Sequence, residues 1–279
     1  MIQYSIRLGK RFIVLVPGLI IAFFSVHDIF PYFDRRLPLG IAVFATYIIG
    51  AYLLIPAIIR SFRIIWPARH VPLYCVTPDG FASDPLNIGL IGTRRQLIGA
   101  MESIGWHMAD PHTPPFLLRA GYNLFLNRPY PNAPVSSLYL FGRKQDLAFE
   151  LPLEGGRGNR HHVRFWATTY EDTGKLTFRR IHWHQRSNHV QGDNLLWVGA
   201  ASRDSGISLV RHNLQFTHMI APDTNQERQI IISKLKRAKL LSTVEIVKLG
   251  NAYKLVNRVW RGYLSTDGNM AVGQLKTKD

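Results

Sequence analysis

The chain holds one cysteine, Cys75, in 279 residues, which excludes an intrachain disulfide framework and a cysteine-rich zinc module. Cys75 sits near Val71-Pro72 and Pro78 without a neighbouring base, so it reads as a structural thiol, and a lone free thiol suits a reducing compartment. Carboxylates are scarce as well: 18 Asp and Glu stand against 34 Lys and Arg, a formal charge of +16. No Gly-x-Gly-x-x-Gly or Walker sequence is present, which removes the common glycine-rich phosphate cradles. HExxH and HxHxD spacings and serine- or cysteine-nucleophile motifs are absent too. With 47% hydrophobic and 11% aromatic residues, the chain has the material for a packed core and is not a disordered polyelectrolyte.

What is present is unevenly distributed. Residues 1–69 carry +6 and residues 70–279 carry +10, yet only the first part contains long uncharged apolar runs. Residues 37–59 (LPLGIAVFATYIIGAYLLIPAII) have no formal charge and are long enough, at about 1.5 Å per residue, to cross a hydrocarbon core of about 30 Å as a helix. Residues 12–26 follow Arg7, Lys10 and Arg11 and contain Pro17 and Gly18. They read as a second, retained helix, because no small-x-small cleavage site follows; a signal peptide is the alternative. The expectation for 1–69 is thus a transmembrane hairpin with helices at about 12–30 and 37–60. Arg60, Arg63 and Arg69 outweigh Arg35 and Arg36 in the loop, so the positive-inside rule puts both termini in the cytoplasm.

Residues 70–83 form a Pro-rich linker, 84–249 a globular domain and 250–279 a basic tail. In the domain, 87–92 is a short buried strand, and Thr93 caps a helix that carries Leu97, Ala100, Met101 and Ile104 and stops at Gly105. Residues 113–127 form a second helix, with prolines in its first turn. A β-rich middle follows at 136–141, 147–153, 162–168, 176–183, 195–201, 207–210 and 216–220, with a hairpin turn at Arg203-Asp204-Ser205-Gly206. The last helix covers about 223–241, opened by a Thr224–Glu227 capping box, and 244–249 closes as a strand. The fold class is α+β: a two-helix transmembrane hairpin, then a domain with a largely antiparallel sheet and three helices.

Several separated motifs carry a family resemblance. Asp84-Pro85-Leu86-Asn87, Arg128-Pro129-Tyr130-Pro131, Leu138-Tyr139-Leu140-Phe141-Gly142-Arg143 and Asp146-Leu147-Ala148-Phe149-Glu150 are similar to the LssY C-terminal domain family. So are His161-His162-Val163-Arg164-Phe165-Trp166, Leu196-Trp197-Val198-Gly199-Ala200-Ala201 and Thr217-His218 with Pro222-Asp223 and Glu227-Arg228. The resemblance covers about 80–242. It implies a bacterial protein at the inner membrane, in a family named for a type I secretion component and often fused to DedA-like or lipid-phosphate-phosphatase-like modules. The expected role is binding or accessory work in cell-envelope or transport processes. The second histidine expected after Thr217-His218 is Met219 here, which argues against a metal-ligand pair at that point.

The alternative is a hydrolase acting on a phosphate-containing lipid or envelope substrate through a His/Arg/Asp site. Its candidates are His161, His162 and Arg164 on one strand with His218, Asp223 and Glu227 at a strand-to-helix corner; Trp166, Trp197 and Arg228 are candidate ligand contacts. Arginine clamps phosphate bidentately and histidine serves as base or ligand. His182 and His184 share one strand face and are the candidate metal ligands. A plainer reading stands beside each: satisfied strand histidines, and Asp223 and Glu227 as helix caps.

Between Arg228 and Arg261 lie nine Lys or Arg residues and one acid, Glu245. Next to a bilayer, anionic lipid headgroups are the expected partner of 228–261. Nucleic acid is disfavoured, since no RRM, KH or helix-turn-helix signature accompanies the charge.

Overall fold

A computed structural model describes residues 19–55, 57, 73–78, 80–126, 128, 130–140, 142–152, 160–169, 194–209, 216–256 and 263–276. The chain divides into two units, one made mostly of the first 67 residues and one of nearly all the rest.

In the first unit residues 19–24 are helical and continue through a π turn, Ser25–Ile29, into α1 (Phe30–Asp34). After a turn, α2 (Leu39–Ile48) runs into a second π segment, Ile49–Leu54. The two runs fold back on each other, since a Cβ at Gly50 would lie 3.6 Å from Ser25 Oγ. The expected transmembrane hairpin is not found: among the described residues no helix is long and apolar enough to cross a membrane. The run Leu39–Leu54 passes from α-helix into π-helix at Ile49, so its regular α-helical part is ten residues long. The other run has Asp28 inside its π turn.

The second unit is layered. Its strands are β1 (Tyr74–Val76), β2 (Ala82–Pro85), β3 (Ile88–Gly92), β4 (His107–Met108), β5 (Tyr139–Leu140), β6 (Arg143–Lys144), β7 (Leu147–Pro152), β8 (Arg160–Thr169), β9 (Leu195–Leu209) and β10 (Phe216–Ile220). They are followed by β11 (Leu241–Lys248), β12 (Tyr253–Val256), β13 (Tyr263–Thr266) and β14 (Asn269–Leu275). The main sheet has the order β11-β14-β3-β9-β8-β7-β4, with β10 also paired to β9. All of its pairings are antiparallel except β14 with β3, so the expected α+β domain with a largely antiparallel sheet stands. A smaller sheet, β2-β1-β5-β6, is separate, and β12 pairs with β13.

Three helices complete the unit: α3 (Arg94–Ser103), α4 (Pro114–Phe125) and α5 (Asn225–Arg237). Thr93 caps α3 as expected. Its hydroxyl accepts from the Gln96 N–H and the Gln96 side chain accepts from the Thr93 N–H, which together close a capping box. Gly105 ends that unit at φ +87°, a conformation that glycine adopts without a Cβ penalty.

The main sheet is covered on both faces. Leu97 and Met101 of α3 and Ile231 and Leu235 of α5 pack with Leu90, Phe149, Val163, Phe165 and Trp197 on one side. Cys75, Leu86, Leu138, Leu140, Trp166, Val198 and Val272 form a second cluster on the other. Double coverage explains why β9 reads Leu-Leu-Trp-Val-Gly-Ala-Ala without polar alternation. Gly199 sits between Ile88 and Phe165 in register, and a Cβ there would come within 2.7 Å of the Phe165 ring and 2.8 Å of Ile88. Gly199→Ala is expected to destabilise the domain by about 1–3 kcal/mol through overpacking, read as a lowered denaturant midpoint.

Two local expectations fail. Arg203–Gly206 is no hairpin turn but the interior of β9, which pairs with β8 up to His161↔Arg203 and then with β10 from Asp204 onward. Turn-type residues were carried along by pairing on both flanks. The segment expected as a tail supplies β14, a central strand parallel to β3.

Candidate functional site

Period-two geometry sends neighbouring side chains of β8 to opposite faces, and this divides the candidate residues. His161 faces the helices, together with Val163 and Phe165; His162, Arg164 and Trp166 face the second cluster. His161 and Glu227, from two separate candidate groups, are brought together. Nδ1 of His161 lies 2.5 Å from Glu227 Oε2, and both side chains are buried. The contact ties β8 to α5. Glu227 therefore does not reach back to close the expected capping box, and the Thr224 hydroxyl donates instead to the Ser265 carbonyl. Asp223 takes the capping role, its Oδ1 accepting from the Asn225 N–H at 2.9 Å.

On the other face lies a polar network that sequence reasoning did not assemble. Arg164 donates from Nη1 to Asp84 Oδ2 at 2.9 Å, and from Nε and Nη2 to the carbonyl and hydroxyl of Ser136. Ser202 donates to the same Asp84 oxygen at 2.9 Å, and its Oγ is 2.6 Å from His162 Nε2. The other imidazole nitrogen lies 3.5 Å from Asp204 Oδ1. Burial opposes charge on His162, but Asp204 and Asp84 outweigh it and raise its pKa above the ordinary value. Burial likewise works against the Asp84 carboxylate, yet the His162 hydrogen bond and the Arg164 charge hold its pKa well below the usual range. Beside them Glu150, whose pKa burial raises, receives Arg160 at 2.8 Å.

Hydroxyl, imidazole and carboxylate stand in the order of a hydrolytic triad, but the surroundings oppose that chemistry. Ser202 is fully buried and its proton goes to Asp84. The carboxylates that raise the pKa of His162 favour its protonated form, which has no lone pair to act as base. The one signal that could have found the network is Asp84 with Asn87, two polar residues inside an apolar strand sequence. Asn87 bonds to Ala201 and to the Thr224 carbonyl and fastens β9 to the start of α5.

The remaining candidates are not gathered into a site. The Trp166 indole donates to the Arg143 carbonyl and that of Trp197 to the Gly92 carbonyl; both rings are core, on opposite faces. Arg228 forms a bidentate pair with Asp267 and so is unavailable to lipid or ligand. His218 lies on β10 opposite Ile207. His182 and His184 lie outside the described residues, and among the described ones no group of three or more His, Cys, Asp or Glu could hold a metal ion.

A solvent-open cleft of about 670 Å³ lies elsewhere, lined among others by Arg94, Glu102, Trp106, His107, His112 and Lys144. Among the described residues Arg94 and Lys144 have no ion-pair partner. The Trp106 indole N–H, buried at its wall, meets no acceptor. Burial and the charge of Lys144 hold His112 below its ordinary pKa. None of these residues stood out in the sequence, because they come from three separated segments without shared spacing.

A family model described as LssY C-terminus matches residues 68–270. No curated protein and no solved structure matches the chain.

Proposed function

Because the chain belongs to the LssY C-terminal family, we propose that it serves as a binding or accessory component in cell-envelope or transport processes and that its ligand enters the cleft beside Trp106. The observation that carries this reading is the burial of His161, His162, Arg164 and Glu227. Groups that act on substrate must come within about 3 Å of it, and these four are enclosed in protein, His161 bound to Glu227, His162 to Ser202 and Arg164 to Asp84. The cleft instead presents Arg94 and Lys144, which suit phosphate oxygens, beside apolar wall from Trp106, Met108 and Val135. A phosphate-bearing ligand with an apolar portion fits that mixture. Anionic lipid headgroups are a further partner in this reading, now through Lys236, Arg237 and Lys239, which are exposed at the end of α5.

Hydrolysis of the same ligand is the second reading. One observation favours it: His112, held below its ordinary pKa, is neutral near pH 7 and suited to act as a base.

Calorimetric titration of the full chain with glycerol 3-phosphate tests the cleft. Saturable binding is expected, weakened about tenfold or more in Lys144→Glu and in Arg94→Glu through loss of a charge-assisted contact. Absence of binding, or binding untouched by both substitutions, overturns the assignment. Phosphate release by the wild type that His112→Ala abolishes would select the hydrolytic reading.

A further inference from the structure

One helix of the second unit turns its apolar side outward. α4 reads PPFLLRAGYNLF. At 100° per residue, half-buried Phe116, Ala120 and Asn123 fall on one side, and exposed Leu117, Leu118, Gly121 and Tyr122 on the other. Leu118 is 75% exposed and Tyr122 58%, and Leu126, one turn beyond, is also exposed. A helix resting on a globular core and facing water shows the reverse arrangement. Among the described residues no other helix or strand packs closely along α4. The Arg119 guanidinium lies 4.8 Å from the centre of the Tyr130 ring, and the Tyr130 hydroxyl donates to Asp110.

The sequence around this ridge is basic: no carboxylate occurs between Asp110 and Asp146, whereas Arg119, Arg128, Arg143 and Lys144 do, in a chain of formal charge +16; of these Arg143 is paired with Asp146. Arg119 and Arg128 are exposed. We propose that α4 is an interfacial helix that lies in the surface of a bilayer containing anionic lipid. Leu117, Leu118, Tyr122 and Leu126 enter the boundary between headgroups and acyl chains, and Arg119 and Arg128 stay at phosphate level. Tyrosine favours that depth, where its ring is in apolar surroundings and its hydroxyl is wet. A protein partner would have to supply a groove for this convex ridge and acidic residues to match it; an anionic bilayer presents both properties along its whole surface. The proposal is independent of the ligand assigned to the cleft.

The test places an environment-sensitive fluorophore on the full chain at Leu118→Cys; buried Cys75 is left in place, and the unlabelled parent serves as the blank. On vesicles of phosphatidylcholine and phosphatidylglycerol the probe emission is expected to shift to the blue and to be quenched by brominated lipid chains. Arg119→Gln and Arg128→Gln are each expected to lower the vesicle affinity seen by the probe about fivefold. Aqueous emission from position 118 on these vesicles overturns the proposal. So does an equal response to phosphatidylcholine alone, or a blue shift that needs only higher protein concentration, which would assign the ridge to a second copy of the chain.

Discussion

Arg164→Met is expected to destabilise the second unit by about 3–5 kcal/mol, the cost of leaving a buried charge without its partner. Asp84 is almost wholly inaccessible and shares one carboxylate oxygen between Arg164 and Ser202; methionine fills similar volume but supplies no donor. Asp84→Asn combined with Arg164→Met should recover a large part of the loss, since removing both charges is far less costly than removing one. Equilibrium urea unfolding of the three variants measures this, and equal losses in the single and double variants would contradict the pairing. The wild type should also show a characteristic pH profile. The pKa of Asp84 is depressed on folding, so its contribution is present above its unfolded value of about 3.9 and is lost as pH falls through the folded value. The pKa of His162 is raised on folding, so its contribution is present below its unfolded value of about 6.5 and is lost as pH rises through the folded value. Stability is therefore expected to be greatest between these limits, and His162→Gln should flatten the alkaline side.

His161→Phe carries the second large effect, also about 3–5 kcal/mol. Glu227 would keep its buried position on α5 with no partner for its carboxylate, because its side chain points to β8 rather than to the helix N-terminus. A phenylalanine occupies the imidazole space beside the Trp106 ring, 6.3 Å away between centroids, so the loss reports the missing polar contact rather than a cavity. Glu227→Gln in the same background should restore part of the stability. If His161→Phe alone is neutral, the histidine is not what holds the start of α5 to the sheet.

These two pairs show what could be read from the chain and what could not. Local patterns were legible: the Thr93 cap, the apolar spacing of α3, the prolines opening α4, and the opposite faces of His161 and His162 all follow from residues a few positions apart. The family resemblance was legible as well, from motifs scattered over the second unit. Partnerships across the sheet were not. Asp84 meets Arg164 and Ser202 through β2, β8 and β9, elements far apart in sequence, and nothing in their spacing announces the contact. For the same reason Arg203–Gly206 looked like a turn and became strand once β8 and β10 paired along it, and β14 looked like a tail until β3 and β11 took it between them. The apolar run 37–59 misled differently: hydropathy reports composition, and among the described residues no helix is both long and apolar enough to cross a bilayer.

Histidine accessibility tests the central claim most directly, namely that the histidine–arginine cluster is inward and structural while the cleft is the open site. Treating the folded full chain with diethyl pyrocarbonate and mapping the adducts by mass spectrometry separates the two groups. The expected result is modification of exposed His107 and His112, with His161 and His162 protected until the chain is unfolded. Modification of His161 or His162 at the rate of His107 in the folded protein would show that the cluster reaches solvent, and the catalytic reading of those residues would return.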